Sequence, residues 1–166
     1  MKCLECGGKM RKTKTNHRYI ESGLDNIVLI DATAYKCQDC DEDEIEIPRA
    51  DKLHLFIAFL LSLKPTSLTG AEARFLRKHL GYTAAELASA MGITRLTVTR
   101  WENAKGIMKE DRDKHLRLFY LEKKGDAINR LPELKSFFVK LQSFLPMKKK
   151  PGDVKIHADD WMPVHA

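Results

Sequence analysis

The sequence predicts an α+β protein in which a small β-rich N-terminal domain precedes an all-α domain. Short runs of β-branched and aromatic residues lie within residues 1–50. From residue 49 onward, apolar residues recur at steps of three and four, which is the period of an α-helix. Four cysteines, arranged as two pairs, all lie in the β-rich part. These observations predict two successive regions of different secondary structure.

Composition and charge narrow the class of protein. The chain has 166 residues, of which 43% are hydrophobic, and 29 Lys+Arg against 23 Asp+Glu give a formal charge of +6. With only 9 Gly and 6 Pro, the sequence excludes collagen-like, mucin-like and wholly disordered proteins. Residues 1–50 hold 8 basic and 10 acidic side chains, whereas residues 51–166 hold 21 and 13. A basic region therefore follows an acidic one, as expected if the second region binds an anionic partner.

The β-rich region has three short strand-like segments, at residues 18–20, 26–30 and 44–47. Ser22-Gly23 predicts a turn between the first two, and Pro48 follows the third. A sheet of this size has a thin apolar core, so a bound metal would help to stabilise it.

The next segment, residues 49–64, predicts an apolar helix that ends before Pro65. Nearly every residue from Leu53 to Leu63 is apolar, so the apolar surface of this helix is not confined to one face. We therefore expect it to pack against partners on more than one face, either between domains or at a dimer contact. Its apolar stretch Leu53–Leu63 is shorter than the roughly 20 residues of a membrane span. The first ten residues contain no apolar signal sequence. We therefore expect a cytoplasmic protein that does not associate with membranes.

Five further helices are predicted in the basic region. Glycines at positions 81, 92 and 106 follow the first three of them. The tail, residues 146–166, shows no clear period. The five helical segments are 72–80, 83–91, 94–103, 111–124 and 132–145.

The four cysteines form the pairs Cys3-x-x-Cys6 and Cys37-x-x-Cys40. A gap of two residues lets both sulfurs of a pair turn toward one point, and four thiolates complete a tetrahedral zinc site. Gly7-Gly8 allows the tight turn after the first pair. We predict one structural Zn²⁺ per chain on Cys3, Cys6, Cys37 and Cys40. Free thiols and a thioredoxin-like redox pair are the alternatives, although neither pair has the βαβ context of a redox motif.

The segment 75–103 has the pattern of a helix-turn-helix. Thr83 and Glu86 have the spacing of a capping box, Gly92 suits the turn, and Thr94 suits the start of the second helix. This geometry places four side chains on the outer face, which enters the major groove in such motifs. Asn103 and Lys105 would add phosphate contacts. The outer-face residues are Arg95, Leu96, Thr99 and Arg100. A generic three-helix bundle with a basic surface is the alternative. We also predict an ion pair between Glu102 and Arg77.

These motifs resemble a known family. The stretches TAAELASAMGI and VTRWEN are similar to the Xre (Cro/C1-type) helix-turn-helix, over residues 68–106. Together with MKCLECGG and YKCQDC, they resemble the MqsA-type antitoxins and other proteins with a YgiT-type zinc finger. The resemblance implies an N-terminal zinc domain that binds a toxin and a C-terminal domain that dimerises and represses its own operon. It places base-reading positions on Leu96 and Arg100, and related repressors add Thr94 and Arg95. Leu96 replaces an Asn-like reader, so the operator should differ.

The sequence thus predicts four regions and one main function. The β-rich zinc domain covers residues 1–48, an apolar helix and linker 49–67, the Xre-type helix-turn-helix and dimerisation domain 68–145, and the tail 146–166. We expect a homodimeric repressor that binds a palindromic operator in double-stranded DNA, an MqsA-like antitoxin that regulates its own operon. The alternatives are a stand-alone regulator and a protein-interaction adaptor. No nucleotide-binding or hydrolase motif is present in the sequence, so we predict no enzymatic activity.

Overall fold

The structure is a computed structural model that describes residues 1–104, 106–129 and 154–158. Its elements divide into two compact units. Unit 1 contains residues 1–21 and 25–50 together with the described residues 154–158, and unit 2 contains residues 22–24 and the described part of 51–152. The predicted α+β class is confirmed, because a sheet precedes a group of helices. Within the described residues, no helix is both long and apolar enough to span a membrane.

Unit 1 is built on a mixed four-stranded sheet around a long central strand. Strand β1 (Met10–Arg18) and strand β3 (Asp43–Glu46) both pair antiparallel with β2 (Ile27–Cys37). Strand β4 (Val154–His157) pairs parallel with the first part of β2. The second edge of β2 is thus shared, with β4 on residues 27–30 and β3 on residues 33–36.

The buried face of β2 is continuous because of a β-bulge. Ile27, Leu29, Ala32 and Ala34 are all fully buried, although the step from 29 to 32 would normally move a side chain to the other face. The pairing register shifts here, since Thr15 opposes Ala32 and His17 opposes Leu29. Asp31 takes the left-handed conformation at φ 56. The extra residue restores the alternation and keeps one apolar face.

Two strand assignments differ from the sequence prediction. The predicted strand at residues 18–20 is wrong, because β1 ends at Arg18 and Ile20–Ser22 form a 3₁₀ turn. Strand β1 itself is polar, and Met10 is its only buried residue, so the pairing with β2 decides its conformation. Strand β4 lies in the tail, where no periodic pattern predicts a strand. Its Ile156 is fully buried.

Unit 2 contains five helices among the described residues. They are α1 (Ala50–Leu63), which begins at the last residue of unit 1, α2 (Gly70–His79), α3 (Ala84–Ala90), α4 (Arg95–Asn103) and α5 (Glu110–Asn129). These agree with the predicted segments, except that α5 extends five residues further than expected. The predicted helix 132–145 lies outside the described residues.

The core of unit 2 combines apolar side chains with buried ion pairs. Leu53, Ile57, Leu76, Leu116 and Tyr120 are all fully buried. Lys64 Nζ donates to both carboxylate oxygens of Glu72, at 2.7 and 2.6 Å. Arg117 bridges Asp113 and the carbonyl oxygen of Lys64, which connects α5 to the end of α1.

Candidate metal centre and nucleic-acid interface

The β1–β2 hairpin brings the two cysteine pairs together. Cys3 and Cys6 lie just before β1, and Cys37 is the last residue of β2. Because the strands are antiparallel and Met10 opposes Cys37, the start of β1 lies beside the end of β2. The 30 intervening residues form the turn and strands of that hairpin. The two cysteine pairs, although 30 residues apart in the sequence, therefore lie close together in space.

The four sulfur atoms have the spacing of a metal site. All lie within 4.8 Å of one another, with 3.7 Å between the Sγ atoms of Cys3 and Cys40 and 3.4 Å between those of Cys6 and Cys37. A tetrahedral zinc ion with Zn–S bonds of about 2.3 Å requires sulfurs about 3.8 Å apart. A disulfide would need about 2.05 Å, and all four thiols are free. The four cysteines can therefore hold one metal ion such as zinc.

Backbone N–H groups support the two cysteine turns in the same way. The N–H of Gly8 donates to Cys6 Sγ and the N–H of Asp39 donates to Cys37 Sγ, both at 3.4 Å. Gly7 has φ +73, which allows the first turn. The Asp39 N–H lowers the pKa of Cys37 to about 7, since it stabilises the thiolate, whereas hydrogen bonds among the clustered thiols hold the pKa of Cys6 and of Cys40 above its usual value. Thiolates are the form that binds a metal.

The second site begins at the turn between α3 and α4. Gly92 has φ +65, a conformation that favours glycine, and Ile93 N–H donates to the carbonyl oxygen of Ala88 at 2.9 Å. Both predicted caps are present. Thr83 and Glu86 form a complete capping box at α3, and Thr94 Oγ1 accepts from Thr97 N–H at the start of α4. The turn and its two caps fix the angle between the helices.

Buried side chains hold α4 against the other helices. Leu87 and Ala88 on α3, Met91 at the C-cap of α3 and Val98 on α4 are at most 6% exposed. A close approach also joins α2 to α4, because a Cβ on Gly70 would lie 2.7 Å from the carbonyl oxygens of Trp101 and Glu102. Only glycine fits this position.

Glu102 is the polar link between α2 and α4. The guanidinium of Arg77 donates from Nε at 2.5 Å and from Nη2 at 2.8 Å to the two Glu102 oxygens. The predicted Arg77–Glu102 pair is confirmed. Glu102 raises the pKa of Arg77 through this hydrogen bond. Arg74, which the sequence analysis missed, also donates to Glu102 at 3.3 Å. A helical period could have found it, because positions 74 and 77 share one face of α2.

The outer face of α4 carries the predicted DNA-contact residues. Arg95, Leu96 and Arg100 are exposed, and Thr99 is half-buried. We call these four residues the reading face. In the part of the chain that the structure describes, neither the Arg95 nor the Arg100 side chain has a hydrogen bond or an ion pair, unlike those of Arg74 and Arg77. Their guanidinium groups are therefore available to an external acceptor.

The other predicted contacts are distributed around this face. Thr94 is exposed, and its hydroxyl caps α4. Asn103 is exposed, and its Oδ1 accepts from Arg74 Nη2 at 2.8 Å, which leaves its amide hydrogens for a phosphate. Lys105 lies outside the described residues.

A groove beside the end of α4 joins Arg100 to two further cations, of which Arg112 was not predicted. Its volume is about 530 Å³, and Arg100, Lys109 and Arg112 are among its lining residues. Arg112 stacks over Trp101 at 5.9 Å from the ring centroid and donates from Nε to Asp111 at 3.1 Å. The groove therefore connects the end of α4 to the start of α5 and carries both basic and acidic groups.

The arrangement of α2, α3 and α4 matches a known protein-family model. Residues 74–110 match the helix-turn-helix family model, of the Xre type. This segment is a helix-turn-helix domain. It spans α3, α4 and most of α2, and it is a domain of DNA-binding transcription regulators. The comparisons with curated proteins and with solved structures gave no match.

Proposed function

We propose that the protein is a sequence-specific transcriptional repressor that binds double-stranded DNA through the reading face of its helix-turn-helix domain. The availability of Arg95 and Arg100 carries this proposal, because both guanidinium groups lie exposed on α4 without an intramolecular partner among the described residues. Arginine makes two hydrogen bonds to guanine in the major groove, so these residues supply selectivity. Lys109 and Arg112 supply phosphate contacts.

We further propose a homodimer on a palindromic operator. Two copies place their α4 helices in successive major grooves, about 34–36 Å apart.

We also propose that the metal site holds structural zinc, since four protein thiolates leave no open position for catalysis.

The finer proposal is an MqsA-like antitoxin that represses its own operon. It is supported by the combination of a four-cysteine domain and a helix-turn-helix domain in one chain. Unit 1 also has a strongly acidic exposed segment beside the cysteine cluster, which suits a cationic toxin. Its residues are Asp39, Asp41, Glu42, Asp43 and Glu44. A stand-alone regulator or an adaptor that uses the zinc domain is the second candidate.

Binding to the DNA upstream of its own gene tests the repressor proposal. We expect a gel shift with this fragment and a weaker one with random DNA of equal length. Replacing Arg100 by Ala should cost about 1–3 kcal/mol on the specific fragment and change random binding little. Arg11→Ala is the matched control, because Arg11 is exposed on β1 of unit 1. Equal losses on both DNAs with Arg100→Ala would contradict the assigned role.

Co-expression tests the antitoxin proposal. If a neighbouring reading frame encodes a toxin, the two proteins should elute as one complex in size-exclusion chromatography. Replacing the five acidic residues beside the cysteine cluster by Asn or Gln should weaken that complex while DNA binding is retained. A protein that binds its operator and captures no neighbouring gene product would favour the stand-alone regulator.

A further inference from the structure

The reading face contains an apolar side chain where a purely polar surface would be expected. Leu96 is 57% exposed and lies in the first turn of α4, next to Arg95. Arg100 follows five residues after Arg95, or about 7.5 Å along the helix axis at a rise of about 1.5 Å per residue. Leu96 is therefore the apolar side chain that the reading face offers to whatever it contacts.

The threonine hydroxyls near Leu96 are engaged with the protein itself. Thr99 Oγ1 donates its hydrogen to the carbonyl oxygen of Arg95 at 3.1 Å. Thr94 Oγ1 accepts from the N–H of Thr97 and lies 2.9 Å from the hydroxyl of Thr97. The Thr99 hydroxyl therefore donates within α4 in this structure. The two guanidinium groups are the free charged donors of the reading face.

This chemistry matches one group in the major groove of DNA. Of the four bases, only thymine presents a methyl group there, at C5. All four bases present hydrogen-bonding atoms there, thymine through O4, but thymine alone adds an apolar group that a leucine side chain can cover. The favourable neighbour for Leu96 is therefore a thymine methyl, with guanines available to Arg95 and Arg100 on either side.

We propose that Leu96 makes the protein select its DNA half-site by the 5-methyl group of a thymine that lies between the bases read by Arg95 and Arg100. This inference rests on the proposed function, since it assumes that the reading face enters the major groove. It adds the chemical identity of the base at one position. The contact distinguishes thymine from uracil in the same base pair.

Substitution of deoxyuridine for thymine tests the inference directly, because it removes the methyl group and keeps the pairing with adenine. Each thymine of the bound upstream fragment is replaced in turn, and the dissociation constant is measured by gel shift. At one thymine per half-site we expect binding to weaken about fourfold, the value for one methyl group removed from an apolar contact. The other thymines should have little effect.

A variant protein assigns the effect to Leu96. Leu96→Ala should bind thymine and deoxyuridine fragments equally well, since the apolar contact is gone from the protein side. Leu118→Ala is the matched control, because Leu118 is 67% exposed on α5, away from the reading face. It should retain the fourfold discrimination. The melting temperature of each variant verifies that the fold is intact.

The outcomes separate this inference from the function on which it rests. If no fragment is preferred over random DNA, the proposed function fails and the inference with it. If the upstream fragment is preferred and every deoxyuridine is neutral, the function stands and the inference is overturned. A discrimination that persists in Leu96→Ala would also overturn it, because another group would then read the methyl.

Discussion

Unit 1 and unit 2 reach a stable fold by different means. In unit 1 the buried face of β2 consists of two large apolar residues, Ile27 and Leu29, and two alanines, and a cluster of four cysteines lies at one end of the sheet. In unit 2, large residues such as Phe59, Leu76 and Tyr120 are buried on several helices. The comparison shows that a small sheet depends on a few specific links, whereas a helical group distributes its stability over many contacts.

The same difference appears in the polar groups. Unit 2 places charged side chains in its interior, where Glu72 and Asp113 are at most 1% exposed and each is paired with a cation. In unit 1 the charged residues of β1 and β3 are exposed. Loss of one stabilising contact should therefore unfold unit 1 as a whole, whereas in unit 2 it should only lower the free energy of unfolding. Four experiments test this difference between the units.

Removal of the metal should have the largest effect, and only on unit 1. Structural zinc sites contribute about 10–16 kcal/mol of apparent binding free energy at pH 7, which exceeds the stability of a small sheet. A strong chelator should abolish the β-sheet signals of unit 1 in an amide NMR spectrum while the helical signals of unit 2 remain. Cys3→Ser should cause the same loss of signals. Added zinc should restore the signals of the chelated protein but not those of Cys3→Ser. An intact sheet without metal would contradict the proposed dependence.

Removal of the buried Ile156 side chain on β4 should have the next largest effect. Ile156 is fully buried on β4, so Ile156→Ala should destabilise unit 1 by about 2–5 kcal/mol. Lys155→Ala is the matched control, because Lys155 is the exposed neighbour on the same strand. Hydrogen exchange at the β2 amides measures the change. Equal exchange rates in the two variants would show that β4 does not stabilise the sheet.

Loss of one ion pair in unit 2 should have a smaller, graded effect. Arg77→Ala removes two hydrogen bonds from Glu102, which is 7% exposed, whereas Arg74 still pairs with it. We expect a loss of about 2 kcal/mol by urea denaturation. Arg74→Ala should cost less, because the Arg74 side chain is 43% exposed. Unfolding of unit 2 by either substitution would show that its stability is not distributed.

The stability of unit 2 should also depend gradually on pH. Burial, followed by the charges of Lys124 and His54, lowers the pKa of His79 to about 4. A histidine in an unfolded chain has a pKa near 6.5, so between about pH 6.5 and 4 the unfolded chain binds a proton that the folded one does not. The melting temperature should therefore fall as the pH is lowered from about 6.5 to 4. His79→Phe should reduce the slope, and His115→Phe, at an exposed position, should leave it unchanged.

The comparison also explains which parts were predictable. The Thr83–Glu86 capping box, the glycine turn at Gly92 and the five described helices depend on residues that are close in sequence, and the pattern located them, whereas the Thr69–Glu72 capping box of α2 was not predicted. The cysteine pairs carry their own spacing rule. Strand β1 was missed because its alternation of charged residues and threonine has little β signal, and its partner strand decides its conformation.

Local periodicity and short spacings were sufficient to predict the class of the fold, the grouping of the cysteines and the helix that presents the reading face. The pairing of Leu29 with Ile156 and the shift in register between β1 and β2 were visible only in the tertiary structure. Both depend on partners far apart in sequence. Backbone propensity acts only between near neighbours, so long-range partners are specified when the whole chain is packed.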